Sequence, residues 1–202
     1  MNVRINSTAL PPGKDTEYIQ AFLGGDSGAF DALILKYQKR VINLCYRMLG
    51  DYDEANDCAQ DTFVKVYHSL KSFRFQSSFS TWLYRIAVNT CKNKLTSLKY
   101  RFHRMMVRLD NGKVADDTHF STEAQDKSSS PVKELERKEL EKIIQKAIDS
   151  IPKYQKAVLV LRDIERLSYD EVAKITGCTP GTVKSRLARA RQQLRIKLKE
   201  LM

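Results

Sequence analysis

From Asp51 to Asp61 the chain carries five carboxylates, Asp51, Asp53, Glu54, Asp57 and Asp61, and no Lys or Arg. Asp57 and Asp61 lie four residues apart, so with Gln60 and Glu54 they share one face of a helix. The next 48 residues, Thr62 to Leu109, reverse this, holding ten bases and no acid. Within that stretch Arg85, Asn89, Lys92, Thr96 and Lys99 recur at helical steps, and Arg74 sits in a segment flanked by Phe73 and Phe75. From Gly177 to Lys199 seven more Lys and Arg occur without an acid. These are groups that bind rather than break bonds: Lys and Arg neutralise phosphates, and Asn offers a donor and an acceptor to a base edge.

An enzyme acting on nucleic acid needs clustered carboxylates for a metal, or a nucleophile beside a base. His68, His103 and His119 stand apart, and carboxylates are missing from the basic stretches where a scissile phosphate would lie. The chain therefore reads as a binding protein and not an enzyme, with no small-molecule substrate. Cys45, Cys58, Cys91 and Cys178 are widely separated and show no CxxC or Cys/His metal spacing. They read as buried free thiols of a reducing cytoplasm. No Gly-rich phosphate loop is present, so no cofactor and no metal is expected.

The elements that must carry these groups are helical. Phe30, Leu33, Ile34, Tyr37, Val41, Leu44, Cys45 and Met48 follow helical spacing, with Asp26 or Ser27 as a start and Gly50 as an end. A second helix buries Ala55, Cys58, Ala59, Thr62, Phe63, Val66, Tyr67 and Leu70. After the loop Lys71 to Ser78, Ser80 or Thr81 starts a third, burying Trp82, Leu83, Ile86, Ala87 and Thr90. Asp110 to Ser130 is polar, acidic and aperiodic, and reads as a linker. Beyond it a helix near Leu135 to Ser150 buries Leu140, Ile143, Ile144, Ala147 and Ile148, and Pro152 opens the next. Ser168-Tyr169-Asp170-Glu171 is a capping box; Gly177 and Thr179-Pro180 then give helix, tight turn and basic helix, the pattern of a helix-turn-helix. Val183, Leu187, Ala190, Leu194 and Leu198 form the inner stripe of that last helix. Gly181, Ser185, Ala188, Arg189 and Gln192 point outward, flanked by Thr182 and Lys184.

The fold class is all-α, two small helical domains joined by a flexible linker. The divisions are 1–25 for the tail and the start of the first helix, 26–108 for the first domain, 109–131 for the linker and 132–202 for the helix-turn-helix domain. With 35 Lys+Arg against 24 Asp+Glu the net charge is +11, which fits a polyanionic partner. No apolar run is long enough to span a membrane and the N-terminus lacks a signal-peptide core, so the expected location is cytoplasmic.

Four motifs in this order resemble the extracytoplasmic-function sigma factors of bacterial RNA polymerase. They are Asp57-Cys58-Ala59-Gln60-Asp61-Thr62-Phe63, Phe79 to Asn89, Leu167 to Ala173, and Gly181-Thr182-Val183-Lys184-Ser185-Arg186. The resemblance implies promoter-specific transcription initiation, with core polymerase and promoter DNA as partners and a commonly membrane-bound anti-sigma factor as inhibitor. It implies that Asp57, Gln60 and Asp61 grip a coiled coil of the largest polymerase subunit. Arg74, Arg85, Asn89, Lys92 and Asn93 would handle the melted −10 element, and Thr182, Lys184, Ser185, Arg186, Ala188 and Arg189 the −35 element. Trp82 reads as core, with strand separation as the alternative. A duplex-binding regulator that works without polymerase is the competing reading, separated by co-purification with core polymerase.

Overall fold

The computed structural model describes residues 14–97 and 131–201, and every regular element among them is helical. The N-terminal residues 1–13, Lys99, His103, His119 and the expected linker up to Ser130 lie outside the described residues; Pro131 already opens a helix. No described helix is long and apolar enough to cross a membrane.

The first half consists of α1 (Lys14–Leu23), α2 (Ser27–Leu49), α3 (Tyr52–Ser69), a single 3-10 turn (Leu70–Ser72) and α4 (Phe79–Thr96). Asp26 caps α2 by accepting the Gly28 N–H at 2.9 Å, and Gly50 ends it in the left-handed region at φ 79°. Asp51 caps α3 through the Glu54 N–H at 2.9 Å. The cap of α4 is Ser78, which accepts the Thr81 N–H at 3.2 Å, rather than Ser80 or Thr81 as the sequence suggested. Burial of Phe79 and Thr81 draws the first turn into the core and leaves Ser78 at its mouth.

The second half consists of α5 (Pro131–Asp149), α6 (Lys153–Leu159) continuing into a wide π turn (Val160–Ile164), α7 (Tyr169–Thr176) and α8 (Pro180–Leu201). Pro152 stands just ahead of α6 and its carbonyl accepts the N–H groups of Gln155 and Lys156 at 2.9 Å each. The capping box forms: Ser168 Oγ accepts the Glu171 N–H at 3.2 Å, and the Glu171 carboxylate accepts the Ser168 N–H at 2.8 Å. Gly177, at φ 68°, makes the turn between α7 and α8.

Buried side chains of both halves join into one continuous apolar cluster. Three details differ from the periodicity. Tyr67 is 47% exposed, although its ring packs edge-on against Phe22 of α1 and Phe30 of α2. Leu140 is 46% exposed. On α4, Tyr84 and Val88 are buried in addition to the expected face, since α7 covers that side.

The halves meet along α4, which α7 covers, and at the C-terminus of α2, whose last carbonyls have no partner within the helix. Lys156 Nζ donates to the Met48 carbonyl at 3.2 Å and pairs with Asp149 at 2.8 Å. Gln145 Nε2 reaches the Tyr46 carbonyl at 3.3 Å, and Arg47 donates to Gln145 Oε1 at 3.1 Å. A cation at a helix C-terminus also complements its dipole. The approach is close enough that a Cβ on Gly50 would lie 2.2 Å from Asp149 Oδ2.

Candidate nucleic-acid interface

On α3 the side chains of Asp57, Gln60 and Asp61 are all exposed and lie on one stripe, as their spacing requires. Val64, 56% exposed, continues that stripe and adds an apolar side chain that the charge pattern could not reveal. Lys94 lies 3.8 Å from Asp57 and is paired more closely with Glu54, which leaves most of the negative stripe unneutralised.

On α4 Arg85, Asn89 and Asn93, at steps of four, form an exposed row. Arg85 and Arg74 come together at a cleft of about 380 Å3, beside Phe73, Thr81, Trp82 and Lys174. Trp82 is only 9% exposed and packs at a tilt against Phe73 with ring centroids 5.1 Å apart, so it is a core residue that also borders the cleft. The loop before α4 holds Phe75 at φ 55°, a conformation uncommon outside glycine. Its ring packs at a tilt against Phe73, with centroids 4.8 Å apart, which fixes the loop that carries Arg74. The combination of guanidinium groups and an aromatic floor suits an unstacked base with its phosphate. Asn89 and Asn93 stand further along the helix and do not line this cleft. Lys174, contributed from α7 almost ninety residues away, was not assigned to this region from the sequence.

Lys92 is off the exposed row. It is half-buried, 5.7 Å from the ring centre of Tyr154, and desolvation followed by repulsion from Arg186 lowers its pKa.

On α8 Lys184, Ser185, Ala188 and Arg189 are exposed, while Val183, Leu187 and Ala190 are buried, matching the expected polarity. Thr182 is partly covered: its hydroxyl lies 3.0 Å from that of Thr179, which caps the helix. Lys184 Nζ lies 5.6 Å from the Tyr169 ring centre, and Arg186 lies 5.5 Å from that of Tyr154. Arg191 is committed to a bidentate pair with Asp163, at 2.9 and 2.6 Å, and so serves the fold.

Residues 33–101 match the family model of sigma-70 region 2, and residues 141–194 that of sigma-70 region 4. The chain is 37% identical over 193 residues to the RNA polymerase sigma-H factor of Pseudomonas aeruginosa, covering 96% of this chain and 98% of that one. It is 37% identical over 188 residues to the ECF RNA polymerase sigma-E factor of Haemophilus influenzae, covering 93% and 97%. Its fold is similar to that of the sigma factor RpoE of Bartonella quintana, solved with the anti-sigma factor NepR. The TM-score there is 0.60 at 24% identity, over 84% of this chain and 96% of that one.

Proposed function

The chain belongs to the extracytoplasmic-function sigma factors of the sigma-70 family, and from that membership we propose how its own residues divide the work of promoter-specific transcription initiation. Sigma factors of this family are not enzymes; they bind core RNA polymerase and direct it to promoters. The observation that carries the assignment is the separation of charge by element: an exposed acidic stripe on α3 and exposed basic or amide rows on α4 and α8.

Asp57, Gln60 and Asp61, extended by Val64, dock on a basic coiled-coil surface of the largest polymerase subunit. Arg74 and Arg85 hold the backbone of the melted −10 strand at the cleft floored by Trp82, with Asn89 and Asn93 reading bases beside it. Lys184, Ser185, Ala188 and Arg189 enter the major groove at the −35 element, where Arg and Lys reach base edges and small residues permit close approach. The described parts 14–97 and 131–201 act as the two working domains. In the closed arrangement Lys92 and Arg186 face Tyr154 instead of solvent, so full use of both DNA faces requires the halves to part. An inhibitory anti-sigma factor is the expected partner in the cytoplasm, a reading supported by the Bartonella sigma factor, which is held in complex with one. Membrane anchoring of that partner would hold the chain near the membrane.

In vitro transcription with purified core polymerase and a promoter library tests this reading. The chain should select a common −35 and −10 pair. Lys184→Ala and Arg189→Ala should each relax one −35 position by about 1–3 kcal/mol if they contact bases, or weaken all promoters alike if they contact phosphates. Duplex binding without any dependence on core polymerase would favour the independent regulator.

A further inference from the structure

We propose that Cys45, Cys58 and Cys91 form a binding site for a soft metal ion that takes three sulfur ligands, with Cu(I) as its representative. The three residues come from α2, α3 and α4, and none has any exposed surface. Their sulfur atoms all lie within 4.8 Å of one another, and Cys58 and Cys91 are 3.5 Å apart. Three points so spaced share a centre at most about 2.8 Å from each, against about 2.3 Å for a zinc–thiolate bond. An inward shift of roughly half an ångström per sulfur would therefore complete the coordination.

The donor set selects the ion. Among the described residues no His or carboxylate joins the three sulfurs, so zinc, almost always four-coordinate in structural sites, would lack a ligand. Thiolate donors alone favour Cu(I). Binding of Cu(I) forms three Cu–S bonds and releases to solvent the proton of each thiol that becomes a thiolate, with no change of oxidation state. Lys65, which donates to the Thr90 hydroxyl at 3.1 Å, offsets part of the negative charge that remains. An ion held there would tie α3, with its acidic stripe, to α4, with the −10 row, through the core of the first half.

The test uses the full reduced chain under anaerobic conditions, loaded with Cu(I) to equilibrium in competition with bicinchoninate, and with Zn(II) as a comparison. One Cu(I) per chain should be retained, X-ray absorption should show three sulfur neighbours, and the thermal midpoint should rise. Cys178→Ser, which removes the thiol outside the cluster, should change none of these. Cys91→Ser should weaken retention by at least the roughly 10–100-fold that even an outer-shell change costs a metal site. Because a serine hydroxyl in the core can unfold the chain, the Cys178→Ser protein and its absorption spectrum decide the matter without any core variant. No retained Cu(I), two sulfur neighbours, tighter binding of Zn(II), or loss of binding in Cys178→Ser would each overturn the site.

Discussion

Lys92 of α4 and Arg186 of α8, assigned to opposite DNA faces, meet over one aromatic ring, 5.7 and 5.5 Å from the centre of Tyr154. Each cation gains from the ring's negative face, yet the two repel one another, and Lys92 is partly desolvated. The contact is therefore a weak latch between the halves, held in place by the firmer polar contacts at the end of α2.

Gly50 is the position at which to release those contacts. A side chain there costs about 1–2 kcal/mol for a left-handed backbone alone, and its Cβ would strike the Asp149 carboxylate. Gly50→Ala should displace Asp149 and with it Lys156, so the halves should separate while helix content is retained. Small-angle scattering should show a larger radius of gyration. An unchanged radius would mean that closure does not depend on this junction.

Closure should also respond to pH. Glu165 accepts the Tyr84 hydroxyl across the halves at 3.0 Å. Desolvation raises its carboxyl above the ordinary value of 4.5, against the opposing effects of the Tyr84 bond and Arg40. A carboxyl raised in the closed state holds its proton more tightly there than in the open state. Its contribution to closure is thus fully present below pH 4.5 and is lost as pH rises through the raised value. The radius of gyration should grow with pH over the mildly acidic range. Glu165→Gln, neutral throughout, should flatten the dependence; a slope equal to that of the parent would assign it to another group.

Reversing charge on the α3 stripe should weaken binding to core polymerase. Asp61→Lys places like charge against a basic partner, a loss on the order of 2–4 kcal/mol at a desolvated contact. Asp61 is exposed, so helix content and thermal unfolding should not change. Val64→Ser should lower affinity less. A pull-down with undiminished binding of Asp61→Lys would move the polymerase contact elsewhere.

What the sequence made legible is what depends on near neighbours. The caps at Asp26, Gly50 and Ser168 are local hydrogen-bond devices, and the inner and outer stripes of α8 follow from a 100° step per residue. The double burial of α4 was hidden because α7, the helix that covers Tyr84 and Val88, comes some eighty residues later. No local pattern marks Lys156, which is 3% exposed because it terminates a helix of the other half. Cysteines without metal spacing read as unrelated thiols, and only the packing of three helices brings Cys45, Cys58 and Cys91 together.

The last prediction separates strand opening from duplex binding. Unstacking a base costs a few kcal/mol, so opening requires contacts that exist only with the separated strand. Asn89 is exposed one turn beyond Arg85, where its amide can offer a donor and an acceptor to an extruded base while Arg85 and Arg74 hold the phosphates. Asn89→Ala removes the amide proposed to contact the base and leaves the α3 and α8 surfaces intact. Core binding and −35 binding should therefore match the parent, and opening of a paired −10 segment should fall. On a template already mismatched across −10, transcription should recover, since the protein no longer has to drive unpairing. Permanganate reactivity of the −10 thymines on both templates measures the difference directly, and equal reactivity of mutant and parent on the paired template would remove Asn89 from the opening step.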